Sequence, residues 1–156
     1  MQHKMYYNLS TLSQMDIYLF KQGSYTKMYE KFGAHPMTHK GKKGVHFAVW
    51  APNAKSVCVR GDFNDYKIDA HPLQLRSDDS GIWEGFIEDI AIGLTYKYHI
   101  VSLFHNIVHE KSDPFAFYSE VAPKSASRIY ELDNYKWNDK KWMEKRYKNN
   151  ACDSPI

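Results

Sequence analysis

Along most of the chain apolar residues recur at every second position, and near the two ends the repeat lengthens to that of a helix. At the start, Ile17, Leu19 and Phe20 form an apolar stripe behind Ser13, an N-cap residue with Asp16 three positions on, and the stripe runs out at Gly23. This pattern predicts a first helix. Met28, Tyr29 and Phe32 then fall at helical spacing and predict a second short helix or turn, stopped at Gly33 in the left-handed conformation that glycine adopts without strain.

From His35 the period becomes two. A strand around Met37–His39 leads through the turn Lys40-Gly41-Lys42-Lys43-Gly44 into Val45, Phe47 and Val49, which alternate with His46, Ala48 and Trp50. Ala51-Pro52-Asn53 breaks the run before Val57 and Val59 resume it, and the two runs read as a half-buried antiparallel pair. Asp62 to His71 reads as a polar loop and Pro72 to Leu75 as a short edge strand. Asp78-Asp79-Ser80-Gly81 reads as a turn into Ile82–Ile87. Tyr96, Tyr98 and Ile100 alternate with Lys97, His99 and Val101, then turn near Phe104-His105-Asn106 and return through Ile107 to Glu110. A last strand covers Ser127 to Glu131.

Seven or so short strands at this spacing predict a mainly β fold, an immunoglobulin-like antiparallel sandwich preceded by short helices. Trp50 and Trp83 lie in alternating strands and are expected in or against its core. Trp137-Asn138-Asp139 starts a short helix with Asn138 as cap, and a polar tail runs from Asn149 to Ile156. The organisation expected is a helical segment over 1–34, the sandwich over 35–133, and a connecting segment over 134–156.

Composition narrows the possible functions. A chain of 156 residues that is 43% hydrophobic supports one main core. No window is long and apolar enough to cross a bilayer, so no membrane partner is expected, and residues 1–7 lack the apolar core of a signal peptide, which points to the cytoplasm. Cys58 and Cys152 form no disulfide framework, and the sequon Asn8-Leu9-Ser10 has no role in that compartment. The 21 basic and 18 acidic residues are interspersed, which leaves no field for nucleic acid. His35/His39 and His105/His109 have helical metal-ligand spacing, but they lie in extended segments where four residues span roughly 13 Å. No metal and no cofactor are expected.

Several stretches carry a resemblance. They are Tyr29-Glu30-Lys31-Phe32-Gly33-Ala34-His35-Pro36, Gly44-Val45-His46-Phe47-Ala48-Val49-Trp50-Ala51-Pro52-Asn53-Ala54 and Gly61-Asp62-Phe63-Asn64. In order after them come Gly81-Ile82-Trp83-Glu84, Tyr96-Lys97-Tyr98, Ser112-Asp113-Pro114-Phe115-Ala116, Ala126-Ser127, Trp137 and Trp142. Together they resemble the amino-terminal region of glycogen branching enzymes, 1,4-alpha-glucan glucanotransferases. The resemblance implies a sandwich similar to the glycogen-binding modules of debranching enzymes and of an energy-sensing kinase. It also implies α-1,4-glucan or glycogen as a partner, and the (β/α)₈ catalytic barrel of the same polypeptide as another. Asp153-Ser154-Pro155-Ile156 resembles the lead-in to that barrel. The family's two carboxyl groups flank one glycosidic bond about 5 Å apart and lie downstream, so no catalytic residue is expected here.

A glucan site needs aromatic faces for sugar rings and polar groups for their hydroxyls. By the resemblance, Tyr66 stands where related modules carry a Trp, and Lys97 matches a Lys that points at sugar hydroxyls. Phe104 lies where a second Trp is missing, with Asn64 and Ser127 as further contacts. Read without the resemblance, Lys97 is a solvated side chain on a sheet face, and the domain could be purely structural, docking on the barrel or on a dimer partner. A sugar-binding module should bring Tyr66 and Lys97 together on one exposed concave surface. A structural one should cluster exposed apolar area around Trp137 and Trp142.

Overall fold

A computed structural model describes residues 3–132 and 135–149. In chain order the elements are β1 (Met5–Tyr6), α1 (Gln14–Lys21), β2 (Gly33–His39), β3 (Lys42–Trp50), β4 (Ala54–Gly61), β5 (Gln74–Leu75), β6 (Ile82–Glu88), β7 (Thr95–Ser102), β8 (Val108–Lys111), β9 (Tyr118–Ser119), β10 (Ser127–Arg128) and α2 (Lys140–Asn149). They form an immunoglobulin-like sandwich of two five-stranded antiparallel sheets. The first sheet has the order β1-β6-β3-β2 with β5 also beside β6; the second has β4-β7-β10-β9 with β8 also beside β7.

The core between the sheets follows from alternation. Val45, Phe47 and Val49 of β3 face Val57 and Val59 of β4 and Tyr96 and Tyr98 of β7, and Trp83, Ile87 and Ile129 close the cluster. Full burial of each such side chain is worth about 1.5–3 kcal/mol. Two sequence expectations change here. The runs in β3 and β4 do not pair with each other: β3 pairs with β2 and β6, whereas β4 pairs with β7. Ala51-Pro52-Asn53 carries the chain from one sheet to the other, since a break containing Pro can turn a corner instead of closing a hairpin. The edge strand expected at Pro72–Leu75 is divided as well. Leu73 N–H donates to Val57 O in the second sheet, whereas Gln74 and Leu75 pair with β6 in the first.

The β2–β3 turn is tighter than expected. Only Lys40 and Gly41 lie between His39 and its partner Lys42, both at positive φ, the geometry of the shortest hairpins. Ser13 does cap α1: its hydroxyl accepts from Asp16 N–H, while the Asp16 carboxylate accepts from Ser13 N–H. In α2 the carbonyl of Asp139, one residue later than expected, accepts the first helical bond, from Met143 N–H.

Residues 8–32 lie across the outside of the first sheet. Leu12, Ile17 and Phe32 pack on Ile82 with Phe20, Tyr25, Met28 and Phe115, a second small core. Phe32 is fully buried between Phe20 and Phe115, with ring centroids at 5.3 and 5.2 Å. Gly33 permits this approach: its φ is +99°, and a Cβ there would come within 3.1 Å of Phe115 O. Consequently β3 is buried on both faces from Gly44 to Val49. Trp83 takes the expected core position, and its indole N–H donates to Ala51 O. Trp50 instead points outward, edge-on to Phe20 and 55% exposed, with its N–H on Ser80 O.

Cys58 is a buried free thiol, whereas Cys152, the tail from 150 and the 153–156 segment lie outside the described residues, as does the junction expected at 133/134. Among the described residues no helix is long and apolar enough to cross a membrane.

Candidate functional site

The outward positions of the second sheet form the candidate site. Arg60 of β4 lies in register with Lys97 of β7, and Glu110 of β8 lies opposite His99 of β7, so alternation points all four side chains away from the core. Arg60 bonds the Glu110 carboxylate through its guanidinium, and His99 Nδ1 lies 3.0 Å from the same oxygen. Burial resists ionisation of Glu110, but the His99 bond and the Arg60 charge outweigh it and hold the carboxyl below its ordinary range.

Arg60 also ties down the loop that carries Tyr66. Its Nε donates to Tyr66 O at 2.5 Å, and Tyr66 N–H donates to Gly61 O at 3.0 Å. Asp65 and Tyr66 both have positive φ, a conformation that a non-glycine residue holds only when its surroundings fix it. Thr95 gives its hydroxyl proton to Asp62, so the Tyr66 phenol is the donor in their 2.6 Å bond. Burial, followed by the Asp62 charge, pushes that phenol above its usual value. Tyr66 therefore lies beside Thr95, two residues from Lys97 on the same face of β7. Lys97 Nζ donates to Ser125 Oγ at 2.9 Å.

Tyr66 thus stands against β7 two residues from Lys97, while the other three expected contacts do not share their outward-facing position. Asn64 is buried: its Oδ1 accepts from Gly61 N–H at 2.9 Å and its Nδ2 donates to Val59 O at 3.0 Å, so it builds the turn that presents Tyr66. Its Nδ2 also lies 2.9 Å from His71 Nδ1, while His71 Nε2 reaches His3 O, a set of partners that assigns a neutral His71 protonated on Nε2. Burial lowers the His71 pKa in agreement with that tautomer.

Ser127 is 1% exposed and lies on the inner face, where its Oγ accepts from Asp113 N–H. Asn64 and Ser127 both stood among the expected sugar contacts, but each satisfies a buried backbone group. Phe104 is 64% exposed at the β7–β8 tip, beyond Ser102. Seven strand steps from Thr95 to Ser102 span roughly 23 Å, so Phe104 stands at the far end of the sheet from Tyr66.

A cleft of about 440 Å³ is lined by Asn64, Asp65 and Lys67 of the Tyr66 loop together with His3 and His71, and clefts of about 190, 300 and 330 Å³ lie elsewhere on the surface. Arg60, His99 and Glu110 were not singled out from sequence, although strand alternation does place Arg60 and His99 beside Lys97. Tyr135, Trp137 and Trp142 are 67, 77 and 61% exposed; Tyr135 lies edge-on to Trp137 at 4.8 Å, whereas the Trp142 ring meets the Arg146 guanidinium. No group of three His, Cys, Asp or Glu side chains able to hold a metal ion occurs among the described residues.

The chain is 43% identical over 145 residues to the 1,4-alpha-glucan branching enzyme GlgB of Synechocystis sp., covering 93% of this chain and 18% of that protein. It is 45% identical over 147 residues to the enzyme of the same name from Aquifex aeolicus, covering 94% of this chain and 23% of the relative. It therefore spans about a fifth of the length of these relatives. Among solved structures, Klebsiella pneumoniae pullulanase complexed with maltotriose superposes with a TM-score of 0.53 and 28% identity, over 67% of this chain and 10% of the pullulanase. Residues 31–116, from the approach to β2 to the segment after Asp113, match carbohydrate-binding module 48, the isoamylase N-terminal domain. On that match, which covers more than half of its length, the chain belongs to the carbohydrate-binding module 48 family.

Proposed function

We propose that the chain is a non-catalytic domain of a cytoplasmic 1,4-alpha-glucan branching enzyme of glycogen biosynthesis, and that it binds or orients α-glucan chains for transfer into α-1,6 branches. The observation that carries this reading is that Tyr66 stands against Thr95, two residues from Lys97 on the outer face of β7, both half-buried, in a chain of a carbohydrate-binding family. An aromatic side chain and a cation side by side are the groups a pyranose face and its hydroxyls require. In this reading residues 1–34 are an N-terminal segment that covers the sandwich and lends it β1 and the start of β2, residues 35–133 are the rest of the sandwich, and 134–156 lead to a catalytic barrel that performs the transfer.

Co-sedimentation of the purified chain with glycogen tests it. Binding that saturates, and that weakens about tenfold in both Tyr66→Ala and Lys97→Ala, is the expected result. Unchanged binding in both variants would remove this face from the reading.

A specific observation favours a second reading. Tyr135, Trp137 and Trp142 expose apolar area far beyond what a lone surface residue does, which suits a domain that docks on the barrel or on a dimer partner. Here the Tyr66 phenol and the Lys97 ammonium serve only Thr95 and Ser125. No sedimentation with glycogen at any concentration would select this second reading.

A further inference from the structure

A different part of the molecule has the shape of a ligand site. Between the short 3₁₀ turn Met28–Glu30, β2 and the segment after β10 lies a cleft of about 300 Å³, at the lower end of the size range of small-molecule sites. Tyr29, Phe117 and Tyr130 supply aromatic walls, and Glu30, His35 and Glu131 stand around them. Tyr29 and Tyr130 keep 47 and 44% of their surface exposed. The mixture is neither a bare apolar groove nor a charged patch; it joins ring faces to carboxylates and an imidazole.

The walls are held in place before any ligand arrives. Buried Asp113 accepts from the hydroxyls of Tyr96 and Tyr98 at 2.6 and 3.1 Å and from Phe115 N–H at 2.8 Å, and its own N–H donates to Ser127 Oγ. This knot fixes the chain that bears Phe117. Phe115 then packs on Phe32, which follows directly on the turn that bears Tyr29, so the opposite wall is tied to the same point. His35 Nε2 lies 2.8 Å from Phe32 O with the ring edge-on to Phe117 at 5.8 Å, which locks the imidazole between the walls. Preformed aromatic walls lose little rotamer freedom on binding.

We propose that this cleft is a second carbohydrate site, taking a short α-1,4-linked glucan with ring faces against Tyr29 and Tyr130 and hydroxyls donating to Glu30 and Glu131. The proposal rests on the reading of the chain as a glucan-binding domain, but on none of the residues that carry that reading. It lies across the first sheet's β2 edge, whereas Tyr66 and Lys97 lie on the outside of the second sheet. One chain would thus hold glucan at two places.

Residue-resolved NMR of the whole chain, labelled on Tyr and Phe rings and titrated with maltoheptaose, tests it. The expected result is saturable shifts at Tyr29, Phe117 and Tyr130, weakened about tenfold in Tyr130→Ala and in Tyr29→Ala while shifts at Tyr66 persist. Shifts at Tyr66 alone overturn the second site and leave the glucan-binding reading standing. Shifts at the cleft alone support the second site and remove the Tyr66 face. Absence of shifts at both, in a chain whose unliganded spectrum is dispersed and folded, overturns both.

Discussion

The two sheets of this sandwich treat their outer faces in opposite ways. Outside the first sheet, residues 8–32 lay down a second core, and β3 is buried on both faces from Gly44 to Val49. Outside the second sheet only the loop after β4 is laid down, held by Arg60 and Thr95 through Tyr66, and beside it Arg60, His99 and Glu110 form a polar network while Lys97 reaches Ser125. The covered face is committed to stability over most of its area and stays open only at the cleft along its β2 edge. An uncovered face contributes little to stability and is free to bind, and the difference predicts that substitutions on the two faces separate cleanly into unfolding and loss of function.

The largest effect should come from the covered side. Phe32→Ala empties a fully buried site between two rings and should cost about 4 kcal/mol in urea denaturation. A cost below about 1 kcal/mol would mean that the cover is not part of the cooperative fold. Next is Asp113→Ala, which leaves the Tyr96 and Tyr98 hydroxyls buried without their acceptor and should cost about 3 kcal/mol. Burial raises the Asp113 pKa despite these bonds, so Asp113→Asn should cost less than the alanine change.

A third effect depends on pH. His46 lies under the cover, fully buried, with Nε2 on Leu9 O and near Glu84, and burial lowers its pKa to about 4. Because the folded pKa lies below the unfolded value of 6.5, the unfolded chain takes up the proton first, and stability is lost as pH falls from 6.5 toward 4. Glu84, whose pKa is raised by burial against the pull of Ser10 and Arg76, works in the opposite direction. The clean measurement is therefore the stability difference between the chain and His46→Gln, which should change by about 2 kcal/mol between pH 7 and pH 5. A pH-independent difference would place the proton elsewhere. The smallest effect belongs to the open face, where Lys97→Ala should move stability by no more than about 0.5 kcal/mol while weakening glycogen sedimentation.

The same contrast explains what could be read from sequence. Tyr96 and Tyr98 against Lys97 and His99, or Ser13 with Asp16, are local signals, because partners within a strand or a turn lie at fixed spacing. His46 and Ala48 looked like the solvated half of β3, and only the distant segment 8–32 buries them. The same remoteness hid the sheet change at Ala51-Pro52-Asn53, since a break in periodicity does not say which strand comes alongside next. At the site, alternation placed Lys97 outward, but residue type alone could not distinguish an Asn64 or Ser127 that builds the protein from one that meets a sugar. The cleft of Tyr29, Phe117 and Tyr130 had no local signal, because its walls come from distant parts of the chain and meet through contacts such as Phe32–Phe115 and His35–Phe117.

The cover has a practical consequence for anyone trimming this module. The family match begins at residue 31, inside the last turn of the cover. A shortened chain that starts there would lack Leu12, Ile17 and Phe20 and would leave Ile82, Phe32 and the outer side of β3 wetted. Such a piece should express poorly and precipitate, whereas one that keeps residues 3–32 should remain in solution and chromatograph as a single sharp species.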